Sequence, residues 1–368
     1  GAIKKIHGSP AEGDIVNVYD NKDYFLATGH YQPSSIAVRI LSFEDVAPDI
    51  NFFRERIKNA INYRRALGLV NNSKTNVYRL IHAEGDDLPG LIIDYYNGVA
   101  VMQMHSVGMY RMRNEFAAIL KDICGDRLKA VYDKSEGTIP HMSGVSAKNE
   151  FLYGNSEPVI VNENGFRFKI DWTTGQKTGF FIDQRDNRKL LLDYSEGKRV
   201  LNMFGYTGAF SVYAMKNAVL VHTVDSSATA TDLTNENIML NYGDEHMHEA
   251  FQVDAFDFLN DIKGKYDLII LDPPAFAKHN NVLSNALQGY KRLNMKAIDQ
   301  IRPGGIIFTF SCSQVVTKEN FRKSVFAAAA NTGRKVRILQ QMSQPPDHPV
   351  NIYHPESEYL KGLVLYVE

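Results

Sequence analysis

Cysteine is scarce in this sequence: Cys124 and Cys312 are the only two in 368 residues. Two thiols so far apart do not make a disulfide framework, and their scarcity fits a reducing, cytoplasmic compartment. No apolar run approaches the ~18 residues that a membrane span needs, and no signal peptide is visible. The chain opens on Gly1 rather than a methionine, which reads as a partial chain. A surplus of positive charge is also missing: lysine and arginine number 41 against 42 acidic residues, a net charge of −1. That balance excludes coating nucleic acid through bulk charge. It leaves room for a local basic face, because phosphate affinity depends on where the cations sit. Repeats and low-complexity segments are absent as well.

What is present is an ordinary globular balance, 44% hydrophobic and 23% charged, long enough for two or three domains at ~150 residues each. Residues 1–44 read as short strands separated by turns at Gly13, Asn21 and Pro33, a small sheet or open barrel. Residues 49–69 read as one helix, with Phe53, Ile57, Ile61 and Leu67 near helical spacing and Asp49 as its N-cap. Its polar face carries Arg54, Arg56, Lys58, Arg64 and Arg65. Strands at Val77 to Ile81, Leu91 to Tyr95 and Val99 to Met104, a helix from Tyr110 to Ile123, and further strands to Ile170 predict an α+β module. From 171 onward, short apolar strands alternate with helices. Those strands are Arg199 to Met203, Leu220 to Val224, Glu249 to Val253, Leu268 to Leu271, Gly305 to Thr309, Lys335 to Gln340 and Leu363 to Val367. The pattern predicts a parallel sheet covered on both faces.

Sheets of that kind bind ligands at the carboxyl ends of their strands, so chemistry is sought there. After the first strand, Phe204-Gly205-Tyr206-Thr207-Gly208 offers two glycines for a tight turn. The full three-glycine dinucleotide fingerprint is lacking, and such a turn also serves plain packing. Asp225 ends the second strand, where a carboxylate suits ribose hydroxyls and equally suits capping a helix that starts near Ser227. Asp254 ends the third, with the same two readings. Asp272-Pro273-Pro274-Ala275-Phe276-Ala277-Lys278 ends the fourth. Two prolines fix a rigid, non-helical turn that presents a carboxylate and carbonyls to a planar, amine-bearing group. The fifth strand runs into Ser311-Cys312-Ser313, which puts a thiol at the ligand edge instead of in a core. Cys124 reads as the end of an ordinary helix.

Together these residues resemble the class I methyltransferase fold and, more narrowly, the bacterial large-subunit ribosomal RNA methyltransferase I family. The likeness rests on Gly175-Gln176-Lys177-Thr178-Gly179-Phe180-Phe181-Ile182-Asp183-Gln184-Arg185, the Phe204 to Phe210 turn, Asp225, Asp254, the Asp272-Pro273-Pro274 turn, Ser311-Cys312-Ser313, Asp347-His348-Pro349 and Tyr359-Leu360-Lys361-Gly362. In front, Tyr78-Arg79-Leu80-Ile81 and Asp87-Leu88-Pro89-Gly90-Leu91 match the opening of that family's central module. Gly205 stands where relatives often carry a cysteine.

The resemblance implies an α/β fold with a C-terminal seven-stranded Rossmann-like sheet over 171–368. Before it would come a PUA-like RNA-binding domain over 1–48 that lacks its start, a connecting helix over 49–74 and a central α+β module over 75–170. It implies S-adenosylmethionine as methyl donor, held by Phe204, Gly205, Tyr206, Thr207, Gly208, Asp225, Ser226, Asp254, Ala255, Asp272 and Pro273, with Gln184 closing the pocket. No metal is expected. It further implies transfer to C5 of a cytosine in ribosomal RNA, with Cys312 and Asp272 as the catalytic pair. Cys312 would add to C6 and make C5 enamine-like, and a protonated Asp272 would donate to N3.

An unperturbed thiol is mostly protonated at neutral pH, so the reading predicts surroundings that favour the thiolate, such as a nearby helix N-terminus. The base that removes the C5 proton is unassigned. The basic helix residues and Lys278 are candidate RNA contacts, although a solvated amphipathic face explains the helix equally well. A nicotinamide-dependent oxidoreductase shares the sheet type, but the incomplete glycine fingerprint and the thiol after the fifth strand count against it, and two nearer rivals remain. One is an RNA methyltransferase acting on a base nitrogen, which needs the proline turn but no cysteine. The other is a non-catalytic RNA-binding assembly factor with a similar pocket.

Overall fold

The computed structural model describes residues 3–34, 36–140, 144–244 and 247–368. The chain forms two compact units. One holds Gly1–Asn162, Ile170–Ile182 and Pro346–Ser357; the other holds Glu163–Lys169, Asp183–Pro345 and Glu358–Glu368. The division does not follow the linear boundaries expected from the sequence. Residues 170–182 and 346–357 lie inside the 171–368 catalytic span almost entirely, yet they pack with the front of the chain. Among the described residues, no helix is long and apolar enough to cross a membrane.

The first unit opens on an antiparallel sheet of β1 (Ile15–Tyr19), β2 (Phe25–Tyr31) and β3 (Val38–Ser42). Helix α1 (Ile50–Ala66) follows, capped by Asp49, whose side chain accepts from the Phe52 N–H. Five strands then pair in sequence order: β4 (Val77–His82), β5 (Leu91–Tyr96), β6 (Val99–Met104), β7 (Ala130–Asp133) and β8 (Glu150–Gly154). Every residue of β6 is buried, as expected of a central strand covered on both faces. Between β6 and β7 the chain makes two helices, α2 (Val107–Arg111) and α3 (Arg113–Cys124), where one was expected. Strand β8 has only three apolar residues between Glu150 and Gly154, too few to register as an alternation. The chain leaves this unit along β9 (Val159–Glu163) and β10 (Phe166–Ile170). They are joined by Asn164-Gly165, both with positive φ, the dipeptide favoured in two-residue hairpins.

The second unit is a seven-stranded sheet. Its strands are β11 (Arg199–Met203), β12 (Leu220–Asp225), β13 (His248–Gln252), β14 (Leu268–Leu271), β15 (Gly305–Ser311), β16 (Val336–Met342) and β17 (Lys361–Val367). They lie in the order β13-β12-β11-β14-β15-β17-β16. The first five are parallel; β17 runs antiparallel to both β15 and β16. The expectation of an all-parallel sheet fails there because no crossover helix separates β16 from β17. Helices α4 (Arg185–Ser195), α5 (Ala209–Ala214), α6 (Ala228–Tyr242), α7 (Ala255–Phe258), α8 (Leu283–Gln300) and α9 (Lys318–Thr332) complete the unit. Leu201, Ile269 and Ile307 enter one buried cluster, while their neighbours Val200, Ile270 and Phe308 enter another. Alternate residues thus bury both faces, which is why these strands read as continuous apolar runs.

A buried ion pair anchors the start of α4. The Arg188 guanidinium donates to both Glu163 carboxylate oxygens at 2.8 Å, and the Tyr213 hydroxyl donates to Glu163 Oε1 at 3.0 Å. Both charged side chains are almost fully buried. Removing one partner strands the other charge in low dielectric, a loss of about 3–5 kcal/mol. We therefore expect Arg188→Met to lower the urea midpoint by that free energy, and the double change with Glu163→Met to recover part of it.

Candidate active site

The strand order reverses between β11 and β14, and the carboxyl ends of the five parallel strands share one edge. That is where a doubly wound sheet opens a crevice. The turn after β11 is held under strain. Phe204 and Tyr206 have φ of 61° and 46°, although neither is glycine, and Gly208 has φ of 69°. Side chains seldom tolerate that region, so the surroundings must over-determine it. They do: Asn237 donates to the Thr207 carbonyl at 2.9 Å and Thr234 to that of Tyr206 at 3.2 Å. Gly205 is needed for closeness, since a Cβ there would lie 2.2 Å from the Thr223 methyl.

Asp225 accepts from the Tyr206 N–H at 3.0 Å and from the Ser227 N–H at 2.9 Å. It ties the β11 turn to the end of β12. The cap of α6 is Ser227, not Asp225. Asp254 is exposed and caps α7, accepting from the Phe256 and Asp257 N–H groups. Ser226 and Ala255 flank these acids at the same edge.

Asp272 and Cys312 follow β14 and β15. Both are half-buried. Burial pushes the Asp272 carboxyl up to about 7, helped by the negative charge of Asp183 and opposed by a hydrogen bond from Gln184. That bond runs from the Gln184 amide to Asp272 Oδ1 at 3.0 Å, and Gln184 is itself oriented by Asn187, which donates to its oxygen at 2.6 Å. The thiol sulfur of Cys312 lies 4.0 Å from the Pro273 carbonyl oxygen. Next to it, Ser313 Oγ donates to the Ala277 carbonyl at 2.6 Å. The proline turn and the cysteine strand end are thus pinned together.

The surroundings of Cys312 correct one expectation. Burial pushes its thiol up to about 12, and Asp272 and Asp183 push in the same direction. No helix starts at this position; α9 begins at Lys318 under its Thr317 cap. The opposing pull comes from the charge of Lys361 and, after it, a hydrogen bond from the Cys312 backbone. Asp183, Tyr359 and Lys361 lie in the segments that carry the family resemblance, where nothing local assigns them a role. Tyr359 donates its hydroxyl to Asp183 Oδ2 at 2.7 Å, and Asp183 Oδ1 is buried with no hydrogen-bond partner. Tyr290 on α8 lies near Cys312 and Ser311, and its buried hydroxyl makes no hydrogen bond of normal geometry.

In the first unit the basic helix proves largely occupied. Arg54 pairs with Asp122, Lys58 with Glu55 at 3.4 Å, and Arg65 with Asn62. Arg56 donates to the Asp87 carbonyl and sits 4.1 Å above the Phe52 ring. Arg64 must be withdrawn as a phosphate contact. It is fully buried, forks onto both Asp86 oxygens and donates to the carbonyls of Arg79 and Asp347. Lys278 is exposed on the loop after the proline turn. The Gly175–Arg185 run spans both units. Within the first, Thr178 donates to Asp94 Oδ2 at 2.6 Å, and Asp94 holds Arg79 in a bidentate pair.

Comparison with known proteins adds three findings. Residues 78–361 match the family described as S-adenosylmethionine-dependent methyltransferase, and residues 1–43 match the PUA-like domain. The ribosomal RNA large subunit methyltransferase I of Aeromonas salmonicida is 38% identical over 371 residues, covering 99% of this chain and 93% of that protein. A solved structure from Streptococcus mutans, assigned as a SAM-dependent methyltransferase, superposes with a TM-score of 0.84 at 25% identity, over 98% of this chain and 93% of that one. Another, of a methyltransferase complexed with SAH, gives 0.84 at 26% identity over 97% and 92%.

Proposed function

This chain belongs to the S-adenosylmethionine-dependent methyltransferases of the ribosomal RNA large subunit methyltransferase I family, and from that membership we propose that it methylates C5 of a cytosine in large-subunit ribosomal RNA through a covalent adduct on Cys312. The observation that carries the reading is the half-buried thiol at the end of β15, pinned against the Asp272-Pro273-Pro274 turn.

The site suits a cationic donor. Asp183 has a buried oxygen with no partner, and Asp272 is held near neutrality partly by Asp183 itself. Two carboxylates this poorly neutralised favour a positive ligand. The Phe204–Gly208 turn, Asp225 and Asp254 would hold the nucleoside portion, and Gln184, Asp272 and Pro273 would line the reacting end. When bound, S-adenosylmethionine supplies an electrophilic methyl on a sulfonium.

The chain's own residues do the rest. Asp272, whose carboxyl burial raises to about 7, donates when protonated to cytosine N3 as charge develops there. Its protonation also removes an anion beside Cys312. The thiolate adds to C6 and breaks the ring's aromaticity, dividing one difficult step into easier ones. C5 would then take the methyl that the donor supplies as its bond to the sulfonium breaks; loss of the C5 proton to a base would restore the C5–C6 double bond, expel the sulfur as thiolate and return the N3 proton to Asp272. The target base must leave its helix, or already be single-stranded, to reach a thiol set this deep.

The test is to incubate the protein with labelled methyl donor and total RNA from a strain lacking the enzyme, then digest to nucleosides. Label is expected in 5-methylcytidine. Label in a purine, or in protein, overturns the reading.

A further inference from the structure

Lys361 is the first residue of β17 and is only 4% exposed. Its ammonium donates to two carbonyls, those of Ser313 and Tyr359, and forms no ion pair with any described carboxylate. The nearest acid in sequence, Glu358, is already paired with Lys318. Burying an ammonium is costly unless an anion or a full set of hydrogen bonds compensates, and two carbonyls leave its third proton unused. The register places Lys361 directly opposite Ser311 across the β15–β17 pair. Its side chain thus starts beside the residue before Cys312 and ends on the carbonyl of the residue after it. The thiol is the one titratable group that this stretch of β15 presents.

We propose that Lys361 is the counter-charge of the Cys312 thiolate, a positioning residue without which the nucleophile does not ionise. The proposal rests on the covalent reading given above. Burial pulls the Lys361 ammonium down to about 8, opposed by Cys312 and Glu358, so at neutral pH Cys312 gives its proton to solvent while the lysine is still an ammonium, and the new negative charge on sulfur meets a positive one. Several other groups face the pair. Asp272, from the turn after β14, and Asp183, ahead of α4, both oppose ionisation of the thiol. Tyr290 comes from α8. Glu358 and Lys318 act on Lys361 with opposite signs. Lysine is therefore the cation that acts on the sulfur against two carboxylates. This fits the thiol's resting state as protonated, with ionisation released once positive charge enters the site or Asp272 takes up a proton.

The test uses the full chain carrying Cys124→Ser, so that Cys312 is the single thiol. The rate of alkylation by iodoacetamide is followed from pH 6 to pH 11 in this background and with Lys361→Met or Lys361→Arg added. The expected result is alkylation about tenfold slower at neutral pH in the methionine variant, the equivalent of one unit in the thiol's acidity. The arginine variant recovers most of the loss. Methyl transfer by Lys361→Met falls in kcat with KM for RNA nearly unchanged. Thermal melting and S-adenosylmethionine titration confirm the fold, and Lys361→Gln substitutes if the methionine variant does not fold. An unchanged alkylation rate at neutral pH overturns the proposal. That failure is separate from failure of the covalent reading, which would appear as full turnover by Cys312→Ala whatever the alkylation profile shows.

Discussion

Cys312→Ala is expected to lower single-turnover methyl transfer by about 10³-fold or more while S-adenosylmethionine still binds. Loss of a nucleophile removes the route through which the other groups act, so the residual rate reflects positioning alone. The proposed donor pocket draws mainly on the β11 turn, Asp225 and Asp254, and its one part against the sulfur, Pro273, contributes a backbone carbonyl that the substitution leaves in place, so calorimetric titration should give an affinity close to that of the unaltered protein. RNA bearing 5-fluorocytosine at the target offers a second readout. The unaltered protein should remain attached to it through denaturing electrophoresis, because fluorine cannot leave as a proton does. Cys312→Ala should not. Full turnover by the alanine variant would end the covalent mechanism and return attention to a base nitrogen.

Asp272→Asn should lower methyl transfer by about 10²–10³-fold, since an amide cannot pass a proton to N3 in the way a neutral carboxyl does. The same change should stabilise the ligand-free protein at alkaline pH. Asp272 is raised in the folded chain from 3.8 to about 7, so the folded state binds its proton more tightly than the unfolded state does. That contribution to stability is fully present below the unfolded value and is lost as pH rises through about 7. At pH 8 the native protein carries a buried, poorly compensated charge. Asparagine removes it, and we expect a gain of about 1–3 kcal/mol at pH 8 that shrinks toward zero or reverses at pH 4. Urea unfolding at the two pH values checks this. An equal change at both would show that Asp272 is not the titrating group.

Much of this site could be read along the chain because it is built at strand ends. Strands β11, β14 and β15 are runs of apolar residues that stop abruptly at a glycine turn, an acid with two prolines, and a serine-flanked cysteine. The topology that brings those endings to one edge is common to doubly wound sheets. What stayed hidden depends on pairings over long separations. Asp183 and Tyr359 meet across 176 residues, and Lys361 acts on Cys312 only because β17 returns antiparallel beside β15. Arg64 shows the opposite error. Its helical phase puts it at the margin of a basic face, and nothing local reveals that Asp86 and Asp347 draw it inward. The charge state of Cys312 was misjudged for a related reason. The strand end suggests an open ligand edge, but burial is the main force raising the thiol, and of the two carboxylates that face the sulfur Asp183 comes from a distant segment.

The segment between β16 and β17 carries a consequence for biosynthesis. Residues 346–357 belong to the first unit. There the Arg79 N–H donates to Asp347 Oδ2 at 3.0 Å, Tyr63 donates to the Pro346 carbonyl at 3.0 Å, and Gly85 leaves no room between itself and Pro349. A polypeptide emerging from the ribosome usually completes its front domain first. This one cannot, because Arg64 and Arg79 lack a partner until Asp347, 268 or more residues further on, has been made. Nascent chains should therefore stay protease-sensitive in their leading half until residues 346–357 have emerged, and a single cut ahead of that segment separates the front of the chain from part of its own unit.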